Sequence, residues 1–244
     1  MTEVLLLMAG LLSGAVNTLA GGGSFIMMPT LILAGVPPLL ANATNTYAAL
    51  PGYVSGAAGF WPAIRQHRKR LLPYSLVAIL FGWLGAELLL VVSDEQFAQI
   101  VPWLMLVAVL LFAFGKQVSA AMQRVRGGHV VVWLFLAAVC VYGGFFNAGL
   151  GILLLAFLAL AGVADLNAMN GLKLWISALV ALVAVIKFAL GGVIAWYYGT
   201  IGLVGVTLGG YAATQIAHLI PAKALRIAII LYGIGMTGWF FWKL

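Results

Sequence analysis

Charge is scarce in this sequence: 7% of its 244 residues are Asp, Glu, Lys or Arg, and only five are acidic. So few ionic groups cannot cover a water-facing surface. With 65% hydrophobic residues and a mean hydropathy of +1.16, a soluble globular class is excluded. The chain reads as an all-α polytopic membrane protein. Its single cysteine, Cys140, cannot form an intramolecular disulfide and reads as a buried packing residue. Three scattered histidines and that one cysteine do not make a metal site, and no metal is expected. A nucleotide-binding lysine loop is missing as well, because Gly21-Gly22-Gly23 has no following Gly-Lys-Ser/Thr. Ser24 has no evident base nearby in sequence. ATP-driven transport by this chain alone is therefore disfavoured, as is an intramembrane enzyme. No redox or organic cofactor is implied.

The basic excess, +7, does not point to nucleic acid, because most basic residues lie in short runs between apolar segments, where they set topology. Hydropathy divides the chain into ten helical pieces. The first half gives 4–20, 24–34, 41–60, 72–91 and 97–114, and the second gives 130–148, 152–161, 167–190, 194–219 and 222–242. Two repeats are expected, at 1–115 and 130–244, joined by a basic cytoplasmic linker at 116–129. The second piece of each half is short. Residues 24–34 rise only ~16 Å against a hydrocarbon core of ~30 Å, so that piece does not span alone. The apolar N-terminus lacks a basic n-region and a cleavage site and is expected to stay attached.

Glycines and amides interrupt this apolar background twice. Asn17-Thr-Leu-Ala-Gly-Gly-Gly-Ser24 precedes Ala41-Asn-Ala-Thr-Asn45, and Asn147-Ala-Gly-Leu-Gly151 precedes Asn170-Gly-Leu-Lys173. An offset of 128 aligns Gly21 with Gly149, Gly23 with Gly151, Asn42 with Asn170 and Asn45 with Lys173. Interrupted helices persist in hydrocarbon only where protein surrounds them or a wet cavity satisfies their backbone. A duplicated break of this kind points to a transporter. Gly21, Gly22 and Gly23 can adopt positive φ and admit close backbone approach, with Ser24 as N-cap of the short helix. Helix N-termini at 21–24 and 149–151 would face a midplane cavity, where free N–H groups and helix dipoles favour anions. The alternative is that these glycines, with Gly10-x-x-x-Gly14 and Gly52-x-x-x-Gly56, only let helices pack closely.

Asn42, Thr44 and Asn45 open a helix after Pro37-Pro38, and Asn42, Asn45 and Thr46 share a face, more polarity than a local cap needs. Lys173 lies in an apolar helix, where an ammonium costs roughly 2.5 to 3.5 kcal/mol unless it finds a partner, water or the interface. Snorkelling is one reading; its alignment with Asn45 gives another, an anion ligand in the shared cavity. The candidate substrate-binding set is Asn17, Gly21, Gly22, Gly23, Ser24, Asn42, Thr44, Asn45, Asn147, Gly149, Gly151, Asn170 and Lys173. Glu87 would pair with Lys173, carry a proton, or reach the interface near Asp94. Asp165 reads as a helix cap and His218 as a helix end.

Basic residues at 65–70 and at Lys116, Arg124 and Arg126 mark cytoplasmic loops, with Asp94 and Glu95 opposite. If the first two pieces of each half form a hairpin returning to its own side, three further crossings follow. The repeats are then inverted and Lys223 and Arg226 fall inside. If those pieces stack into one broken spanning helix, each half has four crossings, the repeats are parallel, and Lys223 and Arg226 fall outside. The charge pattern favours inversion, with Lys187 and Lys243 against it.

At these residues the chain resembles the sulfite exporter TauE/SafE family of membrane permeases. The resemblance rests on Ala20 to Ser24, Pro29, Gly35-Val-Pro-Pro38, Ala41 to Asn45, Gly149-x-Gly151 and Asn170-Gly-Leu-Lys173, in order along nearly the whole chain. Gly171 stands where alanine is expected. The resemblance implies a two-repeat permease for sulfite, organosulfonates or related sulfur anions, a secondary transporter in a bacterial inner membrane, and it supports inversion. The residues alone reach a duplicated transporter with anion preference, working by alternating access around a polar site. An anion channel, an intramembrane enzyme and a membrane scaffold are the rivals. The expected partners are a small anionic solute and the bilayer, with homodimerisation left open.

Overall fold

Long runs of strong helix formers, broken mostly near glycine or proline but also at His67 and at Val91-Val92-Ser93, produce eleven α-helices in the computed structural model, which describes residues 1–20, 22–124, 128–216 and 222–243. Gly21, Arg126 and His218 lie outside the described residues, as does the side chain of Lys223. The helices are α1 (Thr2–Ala20), α2 (Ser24–Leu33), α3 (Pro38–Gly59), α4 (Trp61–Gln66), α5 (Arg68–Leu90), α6 (Asp94–Arg124), α7 (His129–Phe145), α8 (Leu150–Leu160), α9 (Leu166–Leu190), α10 (Trp196–Ile216) and α11 (Ala222–Lys243). No strand occurs among the described residues. By length and composition α5, α6 and α9 can each cross a membrane.

Two expectations need correction. The basic stretch 65–70 is not a loop: Pro62 in the first turn of α4 starts a short helix after Gly59, and Arg68, Lys69 and Arg70 form the first turn of α5. The linker read at 116–129 is helical as far as Arg124, because Lys, Gln, Ala, Met and Arg give α6 no reason to stop at Gly115.

The short helices α2 and α8, with 10 and 11 residues, are too short to span, and each is enclosed by protein. Phe25, Met27, Met28 and Leu31 of α2 lie in one apolar cluster with Phe97, Met105 and Phe188. Leu150, Leu154, Phe157 and Leu158 of α8 lie in another with Leu172, Ile176 and Val180. Both helices end in the same turn. Gly35 and Gly162 adopt φ of +89° and +75°, and the next residue's N–H donates back, Val36 to Leu31 O and Val163 to Leu158 O, each at 3.0 Å.

Longer helices hold these pieces in place. α1 packs along α10, and α7 packs along α5. Both seams are backbone against backbone: a Cβ on Gly14 would stand 2.0 Å from Val206 O, and one on Gly144 2.1 Å from Gly82 O. The close-packing reading therefore holds for Gly10 and Gly14. α5 and α9 run parallel, since Trp175 Nε1 donates to Ser75 Oγ at 2.9 Å and Glu87 pairs with Lys187 further along the same two helices. Glu87 is thus the partner of Lys187, not of Lys173.

The 23 residues of α5 make a rod ~34 Å long that separates two faces of the bundle. Near its start, Arg70 Nη1 donates to Ala161 O at the end of α8, at 3.0 Å. Beyond its other end, Asp94 Oδ1 accepts the Leu39 N–H, at 2.9 Å, just past α2. α2 and α8 therefore terminate at opposite faces and direct their N-termini inward.

Candidate functional site

The two breaks meet. Asn17 of α1, Gly22, Ser24 and Phe25 around the start of α2, and Tyr53 of α3 line one side of a cavity; Asn147, Gly149 and Gly151 at the start of α8, with Lys173, Leu174 and Ser177 of α9, line the other. Its volume is about 20 Å³, room for about one water. Lys173 and Asn45 each stand eighth in their helices, about 10 Å in along the axis from ends that lie at opposite faces.

Lys173 Nζ donates to Asn170 Oδ1 at 3.2 Å. Its stem lies over Gly151, where an added Cβ would be 3.5 Å from Lys173 Cδ. The chain has only five acidic side chains, and each is placed elsewhere. Glu3 sits beside the N-terminal ammonium, Glu87 pairs with Lys187, and Asp94 accepts the Leu39 N–H. Asp165 caps α9 by accepting the Ala168 N–H at 2.6 Å, as the sequence reading expects, and Glu95 lies in the exposed first turn of α6. Lys173 therefore faces the cavity with no side-chain carboxylate against it.

The rest of the wall is rich in donors. Tyr53 Oη donates to Asn147 Oδ1 at 2.8 Å, and this leaves the buried Asn147 Nδ2 without a partner. An unpaired buried amide donor costs about 1–3 kcal/mol unless something fills the cavity. Ser24 Oγ accepts from Asn45 Nδ2 at 3.1 Å, so its own hydrogen can turn elsewhere. At the second break Gly149 has φ +84° as N-cap of α8, a conformation that favours glycine, and Tyr142 Oη donates to Ala148 O at 2.6 Å to hold the connection. One cation and several donors can hold a small acceptor-rich anion.

Several candidates have other partners. Asn42 Nδ2 donates to Phe145 O at 2.8 Å and ties α3 to the end of α7, and its Oδ1 is buried without a partner. Thr44 Oγ1 accepts the Ala195 N–H at 3.0 Å, so this hydroxyl anchors the approach to α10 instead of lining the cavity. Ser24 is not the N-cap of α2. Gly23 holds that place with φ −58° and ψ −35°, and neither Gly22 nor Gly23 has positive φ. Gly23 is required sterically, because its Cβ would lie 2.4 Å from Ser13 O. Tyr53, Ser177, Phe25 and Leu174 escaped the sequence reading. Ser177 follows Lys173 by four residues and Tyr53 follows Asn45 by eight, helical spacings that would have found both.

Comparison with known proteins decides the family. The profile of the family described as sulfite exporter TauE/SafE matches residues 6–240. The chain belongs to that family. Among curated relatives, "Probable membrane transporter protein ORF9" of Sinorhizobium sp is 30% identical over 95% of this chain and 89% of its own length. "Probable membrane transporter protein YfcA" of Escherichia coli K12 is 29% identical over 95% of this chain and 87% of its own. A "Probable membrane transporter protein" of Haemophilus influenzae is 26% identical over 97% and 96%. No solved structure matches the chain. This TauE/SafE protein is thus a multi-pass membrane transporter by family.

Proposed function

We propose that this TauE/SafE protein is a secondary transporter that exports one small monovalent sulfur oxyanion, hydrogen sulfite or an organosulfonate, across a bacterial inner membrane by alternating access at this cavity. The observation that carries the reading is the uncompensated ammonium of Lys173 in a donor-lined cavity between the two breaks. A single positive charge balances a monoanion, whereas a dianion such as sulfate would leave a net buried charge at a cost of several kcal/mol. Phe25 and Leu174 give an organic substituent an apolar wall.

The 128-residue offset between the motifs, the matching turns after α2 and α8, and the exchange of partners between α1–α10 and α7–α5 support two repeats. The opposite faces at which α2 and α8 end support their inversion, each repeat being a broken hairpin followed by three crossing helices. The cavity is smaller than any sulfur oxyanion, which supports a carrier that opens and closes over a channel with a standing pore.

The test is flux into proteoliposomes of the purified chain, with methanesulfonate, sulfite, thiosulfate, sulfate and a neutral solute of similar size. Methanesulfonate, and sulfite increasingly at lower pH, should move well ahead of sulfate and the neutral solute. Absence of flux for every sulfur anion, or equal flux of the neutral solute, refutes the reading.

A further inference from the structure

A second cavity, of about 340 Å³, opens where the N-terminal ends of α5 and α7 meet the C-terminal end of α8. Lys69, Arg70 and His129 give it a basic rim. Tyr74 and Trp133, edge to face with ring centroids 5.7 Å apart, give it an aromatic wall. All five acidic side chains lie elsewhere, so the rim's charge is uncompensated. Arg70 is already held by its bond to Ala161 O, the C-cap of α8, and lies against the Tyr74 hydroxyl, which still leaves guanidinium N–H groups to serve an anion. An inorganic anion would use only the rim. A molecule with a phosphate at one end and an apolar body would use the rim and the aromatic wall together.

We propose that this cavity binds the phosphate of an anionic phospholipid, whose charge sits among Lys69, Arg70 and His129 and whose glycerol and acyl portion lies along Tyr74 and Trp133. The bound phosphate fixes Arg70 against the end of α8, the 11-residue helix that carries Gly149 and Gly151 at its other end. Lipid binding stands independently of what the transporter carries.

Native mass spectrometry of the full chain in mixed micelles tests it, with dioleoylphosphatidylglycerol, dioleoylphosphatidylcholine and inorganic phosphate as probes. Wild type should retain phosphatidylglycerol at least tenfold over phosphatidylcholine, since each basic group near the membrane surface contributes about a fivefold preference. Lys69 and His129 are exposed, so Lys69→Gln/His129→Gln should fold normally and cut the preference at least fivefold, leaving what Arg70 alone supports. Lys116→Gln, an exposed charge on α6, should leave the preference intact. A melting-temperature rise on adding phosphatidylglycerol should shrink in the double variant and persist in Lys116→Gln. Equal retention of both lipids by wild type, or an unchanged preference in the double variant, overturns the proposal. Displacement of phosphatidylglycerol by equimolar inorganic phosphate overturns it in favour of a soluble anion.

Discussion

Lys173→Met removes the one cation of the cavity while keeping a flexible apolar stem over Gly151. At an effective dielectric of about 20, unit charges about 4 Å apart attract by about 4 kcal/mol. Hydrogen bonds to charged groups measured in proteins contribute less, about 1.5–3 kcal/mol. Between these limits, anion binding should weaken roughly 10- to 1,000-fold. The folded state should respond in the opposite sense. Lys173 has only the Asn170 carbonyl oxygen as partner, and an ammonium at mid-helix costs roughly 2.5 to 3.5 kcal/mol where nothing compensates it. The methionine variant should therefore melt at the same temperature or higher. Tracer efflux of methanesulfonate from proteoliposomes, calorimetric titration with the same anion, and thermal unfolding in detergent read the three quantities. Unchanged efflux with a normally folded variant removes Lys173 from the site. A clear drop in melting temperature refutes the claim that its charge is uncompensated.

Asn147→Asp places a carboxylate in the same cavity as Lys173, and should cut anion binding by at least tenfold while raising thermal stability; retained binding would show that the ammonium is not the anion's ligand. Gly14→Ala drives a Cβ to 2.0 Å from Val206 O and should destabilise the fold by about 1–3 kcal/mol in thermal unfolding, whereas Gly238→Ala, with nothing within 4 Å, should be near neutral. Equal effects of the two would remove the α1–α10 seam from the account. Pro37 and Ala164 are exposed and follow the matching turns of α2 and α8, and in a Cys140→Ala background Pro37→Cys should label with an impermeant thiol reagent in intact cells while Ala164→Cys is protected. The same outcome at both positions rejects inversion.

What was legible in the sequence was whatever is rare in its surroundings. Lys173 stood out because ammonium is rare in an apolar run, and Asp165 because a lone carboxylate before a helix has one obvious use. The family was legible from the glycine and asparagine motifs in order. What depends on neighbours was hidden. Glu87 meets Lys187 only because α5 and α9 run parallel, and Thr44 serves Ala195 only because the approach to α10 lies against α3. Glycine motifs say that bulk or handedness is constrained without saying which: Gly149 needs positive φ, whereas Gly23 lies in the α region and needs space. Gly205 illustrates the same limit. Nothing in its apolar run marks it, yet its Cβ would lie 2.6 Å from Leu7 O, so it belongs to the α1–α10 seam.

The seams constrain how the cavity can open. At Gly14 and Gly144 the partner backbone stands where a side chain would begin, and at such closeness one helix cannot slide past the other without losing the whole contact. α1 with α10, and α7 with α5, are therefore expected to move as pairs in the proposed mechanism. Each pair joins a helix from one half of the sequence to a helix from the other, so under the proposed mechanism the bodies that rock would not be the two halves of the chain. The crossing of α3 with α9 is built differently. There Ala49, Tyr53 and Gly56 meet Leu174 and Ala181 through side chains, next to the Tyr53–Asn147 bond that closes one wall of the cavity. Side-chain contacts can exchange partners by changing rotamer, which backbone contacts cannot do. If the protein works by the alternating access proposed above, the α3–α9 crossing is where opening is expected to begin, and Lys173, Leu174 and Ser177 lie on the helix expected to shift.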